Sequence, residues 1–192
     1  MEQLLQLDKE LFLYLNGLGT TTFDGFWMFI TGKWNSIPLY ALLLFLLYKK
    51  MGLRYTVLIV VVVILMIAGT DQLANLFKKV LFLRPRPCHE ASIAEIMRLV
   101  KSYCGGSYGY FSAHAASSMA LAVFLGKLLQ PYYKYAAVLL LVWALFVGYS
   151  RIYIGVHYPG DVITGMFFGV LIANLAAKLL DVLRNKFLVT QA

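Results

Sequence analysis

Val57-Leu58-Ile59-Val60-Val61-Val62-Val63-Ile64-Leu65-Met66-Ile67-Ala68 carries no polar side chain. A run of this length without strand-like alternation reads as a helix in hydrocarbon. Only helices and closed barrels satisfy the backbone where there is no water. Extended to residues 55–80, the run can span the ~30 Å of a bilayer core. Its far end turns polar: Asp71, Asn75 and Lys79 recur every four residues and share one face. A charge inside a bilayer costs ~2.5–3.5 kcal/mol on insertion scales. That face is therefore expected to look into a bundle or a wet cavity, the alternative being a helix end that snorkels.

The rest of the chain matches this stretch. Of its 192 residues 61% are hydrophobic and 14% charged, with a mean hydropathy of +0.75, far from soluble averages. The expectation is one all-α membrane domain over 1–192. Further spans are read at 23–48, 113–130, 132–150 and 159–182, about five in all. The first of these is interrupted at Gly32-Lys33-Trp34-Asn35. Residues 3–18 space Leu4, Leu7, Leu11, Leu15 and Leu18 by threes and fours, with Asp8, Lys9 and Glu10 between them. This is an amphipathic helix expected to lie in the interface, within a segment 1–20. The N-terminus lacks the basic start and small-residue site of a cleaved leader. In so apolar a chain, the net charge of +8 points to topology, lipid headgroups or an anionic substrate, not nucleic acid.

Residues 84–111 form the long connection, with a short surface helix expected within Ile93 to Val100. With five spans, the turns at 49–54 and 127–134 share a side with the C-terminal tail. That side carries eight Lys and Arg, against six opposite once Lys79, Arg86 and Arg151 are set aside for chemistry. The more basic side is read as cytoplasmic, so the loop 84–111 faces outward. Cys88 and Cys104 both fall in that loop, and in an oxidising compartment they are expected to pair. The alternative is two free thiols in an inward-facing loop.

Three polar clusters then meet at one membrane face: Lys79 with Arg86, Phe111-Ser112-Ala113-His114, and Ser150 to Asp161. They supply cations, two histidines, a hydroxyl and a carboxylate. This inventory suits phosphoryl transfer, whose transition state spreads negative charge over three oxygens. His157, with Asp161 four residues on, can be an oriented imidazole, and the backbone N–H groups that open the helix after Ser112 favour an anion.

Lys79, six residues, Arg86-Pro87; Ser112-Ala113-His114; and Ser150-Arg151, five residues, His157, three residues, Asp161 resemble the three signature motifs of the type 2 phosphatidic acid phosphatase family. That family also includes glucose-6-phosphatases and vanadium haloperoxidases. The likeness spans residues 79–161. It departs at the second motif, usually Pro-Ser-Gly-His, where this chain has Phe111 and Ala113. Alanine keeps its N–H but tolerates positive φ poorly.

The resemblance implies that His157 attacks phosphorus to form a phosphohistidine while Asp161 orients its ring. His114 then protonates the leaving oxygen and later activates water. It gives Lys79, Arg86, Ser112, Ala113 and Arg151 to the phosphate oxygens. It implies no cofactor and no metal, and the sequence has no carboxylate cluster for magnesium. Asp71, Asn75, Arg98 and Lys101 are candidates for a supporting shell or a headgroup contact, although solvated surface is the simpler reading of Arg98 and Lys101.

The function expected is a lipid phosphate or diphosphate phosphatase in a bacterial inner membrane, with its site on the periplasmic face. Its partners are the bilayer and a membrane lipid phosphate. Neither a nucleic acid nor an obligatory protein partner is evident. The alternatives are a phosphotransferase using the same phosphohistidine and a non-enzymatic transporter.

Overall fold

The computed structural model describes residues 2–32 and 34–189, apart from the side chains of 188 and 189. Lys33 of the expected break at 32–35 and the last residues of the tail lie outside this set. Six helices follow in order: α1 (Glu2–Gly17), α2 (Thr21–Thr31), α3 (Ile37–Leu76), α4 (Ala113–Leu129), α5 (Ala136–Tyr153) and α6 (Pro159–Arg184). The described residues form no strand, only an isolated bridge between Pro85 and Tyr108.

The expected span 23–48 is not one helix. α2 stops at Thr31, where Gly32 leaves the helical region and Asn35 Nδ2 donates to the Phe29 carbonyl at 2.9 Å. Its 11 residues rise only ~16 Å, too short to cross. The chain restarts at Ile37 with Pro38 in the first turn, where a missing N–H costs nothing. α3 is long because two arms join at Gly52, whose φ of 75° suits a residue without Cβ. Leu43 and Leu47 from the first arm and Ile59 and Val63 from the second line one apolar cleft, so the arms lie side by side. The basic turn read at 49–54 is this kink.

Three helical stretches are long and apolar enough to cross a membrane: 34–81, which holds both arms, 136–153 and 159–187. α4 is shorter but equally apolar, and it forms the hub of the fold, packing on α5, α6 and α3. The core lies along it, with Ala120, Ala122, Phe124 and Leu129 wholly buried. α6 approaches closely through Gly165 and Gly169, spaced as a small-xxx-small pair. A Cβ on Gly165 would sit 2.5 Å from the Ser112 carbonyl oxygen, and one on Gly169 equally near that of Ala116. This contact draws the start of α6 onto the start of α4.

α1 leaves Leu4, Leu7 and Leu11 exposed, and Leu18 just beyond its end is exposed too. Its other face, Phe12 and Asn16, is buried. The long loop contains no helix at 93–100. Turns replace it, and Ile93 packs in a cluster with Phe12 and Tyr158. Burial against α1 fixes Ile93 there, a tertiary contact that the local pattern does not contain.

Candidate active site

Asp161 is the third residue of α6, and its Oδ2 accepts the Tyr158 N–H at 3.0 Å, closing the first turn. The same oxygen lies 3.3 Å from His157 Nδ1. The capping that starts the helix therefore also holds the imidazole. Both side chains are almost wholly buried. Burial pushes His157 well below the usual histidine pKa; Arg151, Arg86 and Lys78 push the same way, and a hydrogen bond to the Gly109 backbone opposes them. The ring is thus neutral at pH 7.

His157 opens onto a cavity of about 450 Å³. Lys78, Arg86, His114 and Arg151 share its wall, with Ala113, Asp71, Ser117 and Ser118. α5 ends later than the sequence suggested, so Arg151 projects from its last turn. There it donates to Thr31 Oγ1 of α2. Arg86 is held by the Cys104 carbonyl at 3.2 Å and the Val156 carbonyl at 3.4 Å. Cys88 and Cys104 are joined as a disulfide with Cα atoms 6.3 Å apart. Among the described residues, the His, Cys, Asp and Glu group compact enough for a metal is Cys88, His89 and Cys104. The bond between its thiols leaves it no thiolate ligand.

Ser112 caps α4. Its buried hydroxyl accepts the Ala115 N–H at 3.4 Å, and it is not on the cavity wall. Ala113 follows in ordinary helical backbone, since no described non-glycine residue has positive φ. Alanine in place of the usual glycine is therefore unstrained.

The lysine differs from the spacing rule. Residues Phe77–Leu81 form a π-helical turn, and Lys78 faces the cavity while Lys79 is exposed and off its wall. A π turn holds more residues than an α turn, so the register that put Lys79 on one face with Asp71 and Asn75 is lost there. Asp71 reaches the wall and Asn75 does not. Arg98 instead pairs with Asp24 at 3.1 Å, and Lys101 lies 4.4 Å from the Tyr103 ring centre. Neither lines the cavity.

Sequence reading passed over Thr31, Tyr40 and Trp143, which also line the cavity from α2, α3 and α5. Each sits in an apolar helix with nothing local to mark it. Tyr40, Ile67 and Leu121 border a second, apolar cleft of about 270 Å³ between the arms of α3, so a charged chamber adjoins a greasy one.

The model of the PAP2 superfamily matches residues 54–184, which contain every motif above. The chain is 34% identical to a lipid A 4′-phosphatase of Porphyromonas gingivalis over 191 residues, covering 98% of this chain and 79% of the relative. A lipid A 4′-phosphatase of Bacteroides thetaiotaomicron is 35% identical over 170 residues, covering 88% and 75%. In fold it resembles the transmembrane PAP2-type phosphatidylglycerolphosphate phosphatase of Bacillus subtilis, with a TM-score of 0.73, 18% identity and coverage of 93% and 87%. The chain belongs to the PAP2 superfamily and is an integral membrane phosphatase.

Proposed function

We propose that this protein removes a terminal phosphate from a membrane lipid through a phosphohistidine formed on His157. The observation that carries this reading is the single chamber shared by His157, His114, Arg86, Arg151 and Lys78. Asp161 takes one ring nitrogen, so the other, Nε2, is the one that attacks phosphorus. The P–O bond to the lipid breaks as the N–P bond forms, and His114 gives its proton to the leaving oxygen. Water then attacks phosphorus, His114 accepts its proton, and inorganic phosphate leaves. The three cations balance charge on the phosphoryl oxygens throughout. Ser112 acts by fixing the start of α4, whose N–H groups face the anion.

The apolar cleft beside the chamber supports a lipid substrate, with acyl chains along Tyr40, Ile67 and Leu121. The 4′-phosphatase relatives make lipid A the first substrate to test. The disulfide and the more basic opposite side support a periplasmic site in an inner membrane. The cations do the work a magnesium ion does elsewhere, so turnover is independent of added metal. Interface docking of segment 1–20 and an outward loop at 84–111 belong to this same reading.

The test is phosphate release from lipid A, phosphatidic acid and undecaprenyl diphosphate by purified protein in chelator. Enzyme quenched in alkaline detergent should carry phosphate that is stable to base and lost in acid, and that is absent in His157→Ala. Release that continues in His157→Ala, or that vanishes in chelator and returns with magnesium, sinks the mechanism.

A further inference from the structure

The inner face of α1 ends in an ion pair that reaches the back of the active site. Asp8 Oδ2 lies 2.6 Å from Arg84 Nη1, and its Oδ1 accepts the Gly160 N–H at 2.8 Å in the first turn of α6. The same Arg84 nitrogen is 3.5 Å from Asp161 Oδ1. Its guanidinium carbon lies over the Tyr158 ring, 3.7 Å from the centre, and Phe12 of α1 meets that ring edge-on at 5.3 Å. Side-chain exposures are 15% for Asp8, 14% for Arg84 and 0% for Asp161.

The two oxygens of Asp161 are thus treated differently. Oδ2 takes His157 and the Tyr158 N–H, whereas Oδ1 is buried with no hydrogen bond among the described residues. A buried carboxylate oxygen left like this needs a cation, because an uncompensated charge in a dry site is costly. Arg84 is that cation. It does not line the cavity, as Arg86 two residues later does. Asp8 pairs with Arg84 away from the cavity wall and also adds negative charge where the α6 dipole is positive.

We propose that Asp8 and Arg84 are positioning residues: the N-terminal helix closes the back of the site and, through Arg84, holds Asp161 in the orientation that aims His157. The inference rests on His157 as the nucleophile. The contact is tertiary, between residues 76 apart in the chain.

The test uses full-length protein in detergent with chelator, with turnover measured on lipid A and on phosphatidic acid. Arg84→Gln should lower kcat about tenfold or more with KM within about threefold, the pattern of a supporting partner that sets geometry and not affinity. Asp8→Asn should lower kcat about threefold to tenfold, and Arg84→Lys should recover part of the loss by restoring charge. Asn16→Ala is the control for mere detachment of α1. It removes hydrogen bonds to the Arg98, Ile152 and Tyr153 carbonyls and should lower Tm while leaving kcat near wild type.

Wild-type kcat in Arg84→Gln overturns the inference, as does a kcat loss in Asn16→Ala that matches the Arg84 variants at equal loss of Tm. If Arg84→Gln does not fold, Asp8→Asn and Arg84→Lys decide by the same criteria. Turnover that survives in His157→Ala, or wild-type protein inactive on both lipids, overturns the underlying reading and this inference with it. Inactive His157→Ala beside fully active Arg84→Gln overturns the inference alone.

Discussion

A neutral His157 is what an attacking imidazole requires, and the surroundings secure it twice. Burial disfavours the imidazolium, and three cations repel it. As pH falls below about 6.5 the unfolded chain takes up a proton that the buried ring refuses, so this histidine lowers stability in acid while staying competent. In spectra of ¹⁵N-histidine-labelled protein, the signal lost in His157→Ala should keep neutral-ring shifts as pH is lowered through 6.5. A signal titrating at the ordinary value contradicts the burial argument. The adjacent lysines give a second prediction. Lys78→Ala should cost about 10²–10³ in kcat, as for loss of one charge-stabilising donor, and Lys79→Ala far less. A larger loss at Lys79 means that motif spacing, not the cavity wall, identifies the phosphate ligand. The sequence cannot separate the two, because Lys78 faces inward on a π turn whose first residue, Phe77, packs against Phe82, Phe111 and Phe168, contacts that are tertiary except for Phe82.

At the scale of elements, the site exists because three helix ends meet: the start of α4, the end of α5 and the start of α6. The Gly165–Gly169 contact controls the α4–α6 junction. Gly169→Leu must push apart two backbones in van der Waals contact, and overpacking of this kind costs about 1–3 kcal/mol. Its Tm in detergent should fall and turnover should fall with it. Gly69→Ala, in the second arm of α3 with open space around it, should be tolerated. Equal effects from both would show that close approach does not hold the junction. The Gly165-x-x-x-Gly169 spacing is present in the sequence, but two glycines name an interface without naming the partner helix.

Across the whole molecule, the loop between α3 and α4 is tied down at both ends. Arg86 N–H donates to the Ser107 carbonyl and Gly109 N–H to that of Arg84, each at 3.0 Å, and the disulfide spans the same interval. Because the Cys104 carbonyl accepts from Arg86, the bond supports a cation of the chamber wall as well as the loop. Closing a loop of this size stabilises by ~3 kcal/mol in the chain-entropy model. The Cys88→Ser, Cys104→Ser protein should melt lower and turn over a few times more slowly. Thiol titration of unreduced, denatured wild type should find no free thiol. Two free thiols would remove the bond and, with it, a support for a periplasmic site.

The sequence by itself determined the helical membrane class and the ends of α4 and α6 to within a residue or two, and it singled out His114, His157, Arg86 and Arg151, which share one chamber wall, and Asp161, which lies against His157. These are legible because hydropathy is a local property and because the chemistry of phosphate demands particular residue types at short spacing. The tertiary structure alone decided that Lys78 and not Lys79 faces the chamber, that Ser112 caps a helix, that the first expected span is broken, and that Asp8, Arg84 and Thr31 reach the site. Asp8, Phe12 and Asn16 recur at intervals of four and so share a face, yet nothing local says what that face meets. Side-chain direction at a distorted turn and contacts between residues 76 to 120 apart depend on packing, which no local pattern encodes.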